Sequence, residues 1–457
     1  MAALALPATA LASTATTSSQ RTVAAASTYT PAFNLKIAKC EKVNASTEHC
    51  LQAQRIPLSS LNAAQRAQRK RDDAALATRA RSRGISAAAA ITAPAQCNFS
   101  TIPFALTGVR YPSRFVSCSD VLVSITQITV TDGVPSLTGQ FEYEDQSWVI
   151  LSATSSDWTH GMQVLGYLGF GDLSDGVSGY VYSECFVDSG ECIATSEDGE
   201  ADPQPVTIAS ASTSSFEWAE SDAGPATVTA GDVDNLDSVV GVEWDITSGG
   251  LSTIVDDRGY LDVRCDSQAS STDGCVDNGF IPTLYLSLAQ YGASAAMVQW
   301  AQINMNAHWG LQGVGDPLTY LVDPIIQANN REVICDDGTF VNMGTAIGGD
   351  YGDSDSCDEF PFAATYQSGA FNIYPGGSAC AQVEAVEGSP GAATEALAWN
   401  SVTTLATPTY NEPCVRGHIP SKLNSGVGGA YGNFILANRL VDLGDGAGDP
   451  FWVAVTA

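Results

Sequence analysis

The stretch DVLVSITQITVTDGVPSLTGQFEYEDQSWVILSAT, residues 120–154, alternates β-branched or aromatic residues with polar ones in three successive runs. A period of two sends alternate side chains to opposite faces of an extended chain, so each run predicts a half-buried strand. Asp132, Gly133, Pro135 and Ser136 separate the first run from the second. The same texture continues in GYVYSECFV (179–187) and VVGVEWDITS (239–248). Short strands broken by turn residues, with no convincing helix between them, predict an antiparallel, sandwich-like all-β domain over residues 97–275. Within it, DVDNLD (232–237) lacks the glycine and distal glutamate of an EF-hand and reads as a turn. His160, beside Trp158, reads as a packing or surface residue.

Outward from this core, 457 residues exceed one ordinary domain, and a multi-domain chain is expected. The opening MAALALPATALAST, with Ala10-Leu11-Ala12, resembles the end of a signal peptide that lacks its basic start. Residues 55–96 carry a basic Ala/Gln/Arg tract that Ser60 can cap as a helix, a dibasic Lys70-Arg71, and an Ala/Pro linker. No aromatic residue interleaves its charges, so a spacer or propeptide fits better than a nucleic-acid arm. Residues 1–96 are therefore expected to be a signal remnant, propeptide or disordered basic linker.

Charge divides sharply. Residues 1–83 hold 12 Lys and Arg against 4 acids, a net of +8, and residues 84–457 hold 8 against 46, a net of −38. Such acidity disfavours diffuse binding to nucleic acid or anionic membranes, so a polyanionic substrate needs a local cation. Later in the chain no apolar run is long enough to span a bilayer. The 12 cysteines include no C-x-x-C and stand with only 4 histidines, which argues against zinc fingers and for disulfides in an oxidising, extracellular compartment. Sequence does not fix connectivity; proximity suggests Cys40/Cys50, Cys97/Cys118, Cys185/Cys192, Cys265/Cys275, Cys335/Cys357 and Cys380/Cys414.

After Cys275 helices enter. ASAAMVQWAQINMNAHW (293–309) has helical spacing, with His308 at its end as a cap or packing residue. PLTYLVDPIIQANNRE (317–332) predicts a helix interrupted at Pro324, and AYGNFILANRLV (430–441) predicts another. Residues 276–457 thus read as an α+β domain. Its chemistry centres on SCDEFPFAATY (356–366), where Asp358 and Glu359 lie between a cysteine and an aromatic run. Adjacent carboxylates on a strand point to opposite faces, and Pro361 marks a strand end or an edge. A second cluster, RGHIPSKLNSGVGGAYGNFILANR (416–439), gathers Arg416, His418, Lys422 and Arg439 around Gly426, Gly428, Gly429 and Gly432. Amides at a helix N-terminus after such a turn would hold a phosphate. Asn424 and Asn433 offer neutral oxygens to a hard cation.

Together SCDEFPFAATYQSGA, LNSGVGGAYGNF, the terminal GDPFWVAV and the lead-in NNREVIC resemble the NucA/NucB deoxyribonuclease domain, over roughly residues 276–457. That family consists of secreted bacterial endonucleases. The resemblance implies a ββα-metal-type fold, a DNA substrate and a divalent cation, Mg²⁺ or Mn²⁺. It makes Asp358 catalytic, with Glu359 a neighbouring acid, and gives Asn424 and Asn433 as metal residues. Arg416, His418, Lys422 and Arg439 are the phosphate-binding candidates, and Cys335, Cys357, Cys380 and Cys414 would brace the domain. Two positions depart from the family pattern: Gln367 replaces a glutamate, and Ser425 replaces an arginine. The expectation is a secreted metal-dependent endonuclease. Its rival is a non-catalytic extracellular binding protein with a vestigial nuclease-like domain; a calcium-stabilised structural protein is a weaker third.

Overall fold

The computed structural model describes residues 36–57, 93–99, 109–187, 192–196, 204–209, 212–222, 233–248, 251–269, 272–336, 338–343, 354–386, 401–444 and 448–457. The signal-like start, the Ser60 helix and the dibasic pair lie outside them. The strands of the first half are β1 (Lys36–Lys42), β2 (Thr47–Pro57), β3 (Val109–Ser113), β4 (Val116–Thr131), β5 (Val134–Ile150), β6 (Asp157–Gly171) and β7 (Val177–Val187). They continue as β8 (Cys192–Ser196), β9 (Gln204–Ile208), β10 (Thr213–Asp222), β11 (Asp234–Ser248), β12 (Leu251–Asp266) and β13 (Gly274–Asp277).

These strands form two antiparallel sheets. The larger runs β1-β2-β4-β5-β6-β10-β8 with β3 also on β4, and the smaller runs β13-β12-β11-β7-β9. The alternation in residues 120–154 explains the stacking. Val121, Val123, Ile125, Phe141 and Tyr143 share a buried cluster with Val181, Val206, Ile208 and Val263 of the smaller sheet. Register shifts at Gln127/Ile128 and Glu142/Tyr143 let the long strands curl. Gly161 is required by close approach, since a Cβ there would meet the buried Trp148 ring at 2.2 Å.

Two expectations are corrected here. Residues 36–57, assigned to the leader, are strands of the larger sheet: β2 pairs with β4 over its whole length, and Cys40 faces Cys50 across β1 and β2. Asp234–Asp237 open β11 and are not a turn, because each pairs with β12. His160 is a packing residue, fully buried beside Glu220. Five of the six expected disulfides are formed, Cys40–Cys50, Cys97–Cys118, Cys265–Cys275, Cys335–Cys357 and Cys380–Cys414. The side chains of Cys185 and Cys192 are outside the described residues.

The second half adds β14 (Thr283–Ser287), α1 (Leu288–Asn304), β15 (Leu318–Thr319), α2 (Pro324–Cys335), β16 (Asp355–Phe360) and β17 (Ala381–Val386). It closes with β18 (Ser401–Thr404), β19 (Val415–Pro420), α3 (Ser421–Ala437) and β20 (Pro450–Thr456). Its small sheets run β14-β20-β15 and β16-β19-β17-β18. Pro324 starts α2 instead of interrupting it: Asp323 caps the helix by accepting from the Ile325 and Ile326 amides, and proline suits a first-turn position. His308 follows α1 and its Nδ1 lies 2.7 Å from the Gln302 carbonyl, a C-terminal cap.

The two halves meet through buried charge. Asp449, just before β20, accepts from Arg114 at 2.6 Å and from Arg264 at 2.6 and 2.7 Å. Arg439, just after α3, is fully buried and donates to the Asp266 carboxylate at 2.7 Å and to the carbonyls of Asp266, Ala153 and Thr272. Its own carbonyl accepts from Arg264.

Candidate functional site

The acid pair sits on β16, an edge strand paired with β19 in the register Cys357↔His418, Asp358↔Gly417 and Glu359↔Arg416. Residues facing one another across antiparallel strands share a face, so this pairing sorts the site into two sides. One side carries Ser356, Asp358, Phe360 and Gly417 against α1 and α3. The other carries Asp355, Cys357, Glu359, Arg416 and His418 against α2 and the segment 338–343.

On the first side Asp358 is buried. Burial pushes its carboxyl up to about 7, and the nearby Glu359 charge adds to the rise. The Glu359 amide, donating at 3.0 Å, the Ser294 hydroxyl and Arg331 oppose it. Ser294 Oγ stands beside the carboxyl without a hydrogen bond of regular geometry among the described residues. Gly417 opposite admits Met297 of α1, since a Cβ would lie 2.2 Å from its sulfur. Asn424 of α3 belongs to this side, its amide donating to the Cys357 carbonyl at 2.8 Å and to Ser356 Oγ at 3.2 Å. Both donors of its amide are therefore used on β16, and its oxygen is the atom able to serve a cation.

The aromatic run answers why an acid pair is followed by Phe-Pro-Phe. Phe360 packs edge-on to Trp309 and Phe362, and Phe362 stacks on Tyr431 of α3. The rings fix the strand end to the core beneath the helices, so Asp358 is held in an apolar, low-dielectric setting.

On the second side Glu359 is also buried, and burial pushes its carboxyl up to about 6. Arg331 opposes the shift from 3.7 Å, but its side chain is 59 % exposed and makes a loose, solvated partner. Cys335 Sγ lies 3.4 Å from Glu359 Oε2. Cys335, Cys357 and Glu359 place three ligand atoms within 4.8 Å of one another, yet the two sulfurs are bonded to each other and offer no thiolate. Arg416 is buried and committed to Gln382 Oε1, the Ile334 carbonyl and Thr339 Oγ1. His418 Nδ1 lies 2.8 Å from Asp355 Oδ2, which also accepts from the Met343 amide. That imidazole–carboxylate pair was missed in the sequence. Its signal was the alternation Asp355, Cys357, Glu359 opposite Arg416 and His418, which becomes visible only with the register.

Several expected contacts are not brought together. Arg439 does not bind phosphate, because the domain interface consumes its guanidinium. Asn433 does not join Asn424: nine residues on one helix are about two and a half turns, roughly 13 Å along the opposite face, and Asn433 is exposed. The glycines do not form an amide turn ahead of a helix. α3 already begins at Ser421 after Pro420, so Gly426, Gly428, Gly429 and Gly432 lie inside it. The helix tolerates them because Val427, Tyr431 and Phe434 bury one stripe. Lys422 is exposed in the first turn. Gln367 points to neither acid: its amide pairs with the Thr319 amide and hydroxyl. Ser425 is exposed.

No family model, curated protein or solved structure matches this chain, and the likeness to NucA/NucB nucleases rests on its own residues alone.

Proposed function

We propose that the C-terminal half is a secreted, metal-dependent phosphodiester hydrolase acting on DNA, with a ββα-like β16, β19 and α3 at its centre. The observation that carries this reading is Asp358: a buried carboxyl near neutrality, on a strand pinned by Cys335–Cys357, with Asn424 of α3 anchored to the same strand through the Cys357 carbonyl. A carboxyl poised near the working pH is suited to take a proton from an attacking water. Asp358 and Asn424 supply the oxygen donors that a hard ion such as Mg²⁺ or Mn²⁺ prefers, and such an ion would offset charge on the phosphoryl oxygens. The disulfides fit an extracellular protein, and among the described residues no helix is long and apolar enough to cross a membrane.

The test is nicking of supercoiled plasmid by the full chain after exhaustive chelation, then with Mg²⁺ or Mn²⁺ restored. Metal-dependent nicking that Asp358→Asn removes supports the reading, and full activity in EDTA overturns the metal step. The rival, a binding protein with a vestigial nuclease-like domain, draws on one observation: Arg439 and Asn433 are both turned away from the acid pair. Absence of cleavage under every metal would favour it.

A further inference from the structure

Phe340 lies flat on the His418 imidazole, with ring centroids 4.4 Å apart and planes 20° from parallel. The Arg416 guanidinium carbon stands 5.7 Å from the same ring centroid. Both partners are held by groups other than the Phe340 ring. Asp355 orients the imidazole, and Gln382, the Ile334 carbonyl and Thr339 orient the guanidinium. Arg416 and His418 are buried, whereas Phe340 is only partly so and Thr339 and Val341 beside it are exposed. The partly open Phe340 ring covers one face of this imidazole and guanidinium pair.

An unpaired nucleobase is recognised in the same way, by stacking on a flat side chain with a guanidinium beside it. We propose that the His418–Arg416 platform is a stacking site for one base of single-stranded nucleic acid, and that Phe340 occupies the base's place in the unbound protein. This rests on the nucleic-acid reading above and adds to it a substrate class, strands with unpaired bases. An internal occupant scales the apparent affinity down to the fraction of time it leaves the site open. The acidic surroundings sharpen the selectivity, since phosphates alone gain little here.

The experiment measures binding, in EDTA and at low salt, of the full-length protein to a fluorescent thymidine 12-mer, an abasic 12-mer and the thymidine strand paired with its complement. Phe340→Ala should tighten the thymidine strand by roughly ten-fold, the scale of one base stack. The abasic strand and the duplex should shift by less than about two-fold, and Phe340→Ala combined with His418→Ala should return binding to the wild-type level. Phe340→Trp should stay as weak as wild type. Where Phe340→Ala does not fold, Phe340→Leu, which keeps bulk without a ring, should give the same direction. Unchanged thymidine binding in the folded variants overturns the site, and so does an equal gain for the abasic strand. Because binding and cleavage are read separately, a protein that nicks plasmid without these shifts refutes the stacking site alone. One that shows the shifts but never cleaves refutes only the hydrolase.

Discussion

Two sets of buried charge can be compared directly in this molecule. At the domain interface three guanidiniums, Arg114, Arg264 and Arg439, meet two carboxylates, Asp266 and Asp449, at distances down to 2.6 Å. Arg439 alone makes hydrogen bonds to one carboxylate and three carbonyls. On β16, Asp358 and Glu359 are also buried, and the guanidinium that lowers both their carboxyls is the exposed Arg331. The interface answers charge with close countercharge, and the strand answers it with amides and one loose, solvated guanidinium. Buried charge held by close countercharge ties elements of a fold together, whereas a buried carboxyl without it rises toward neutrality, as Asp277 of the first half also does, and becomes a candidate for chemistry where other groups support it.

The largest effect should separate the two in activity. Asp358→Asn keeps the shape and removes the base, and it should lower metal-dependent cleavage by about two to four decades. Glu359→Gln, on the other face of β16, should cost less. Plasmid-nicking rates of the purified variants, checked by circular dichroism, decide it; near wild-type cleavage by Asp358→Asn would remove the assignment. The same variant should be at least as stable as wild type, because it deletes an unmatched buried charge.

Arg439→Ala should do the reverse. It strands Asp266 without its main partner, a loss of about 3–5 kcal/mol for a buried pair broken from one side. Urea unfolding followed by near-ultraviolet circular dichroism reports it. If Arg439→Ala is as stable as wild type, the interface is not the structural element described here. Next in size is the clamp on the acid strand. Replacing Cys335 and Cys357 by Ala opens a loop with a sequence separation of 22. The chain-entropy model gives about 3 kcal/mol for a loop of that length. Urea midpoints of this variant and wild type would show it, and an unchanged midpoint would mean that the aromatic packing holds β16 without the disulfide.

How far the sequence revealed this depends on locality. Strand periodicity in 120–154 and 239–248, and disulfides between near neighbours, are local signals, and they were legible. Residues 36–57 were not, because a basic and polar strand is recognised by its partner β4 and not by its own pattern. The glycines of α3 suggested a turn, since propensity speaks against a helix that Val427, Tyr431 and Phe434 hold by tertiary contacts. Arg439 looked like a phosphate ligand because it is one of the few cations gathered around the glycine-rich stretch; its partner Asp266 lies 173 residues away in sequence. The alternation that put Asp358 and Glu359 on opposite faces was readable, but the residues each would meet were not.

The smallest expected effect is a pH dependence of stability, and its sign sharpens the comparison. Asp358 and Glu359 have folded values of about 7 and about 6, above those of an unfolded chain, near 4. The folded state therefore holds protons that the unfolded state has released. Their contribution is fully present below about pH 4 and is lost as pH rises through 6 and 7. Between pH 6 and pH 8 wild type should lose about 1–2 kcal/mol from this pair, by linkage at 1.36 kcal/mol per unit. Asp358→Asn should remove most of that slope and Glu359→Gln a smaller part. Arg439→Ala should instead lower the whole curve, by more than the roughly 1–2 kcal/mol that the carboxyl pair contributes to the slope. Urea midpoints at half-unit pH steps in all three variants would show it. A wild-type stability flat from pH 6 to 8 would mean that the two carboxyls are matched after all, and the contrast between strand and interface would fail.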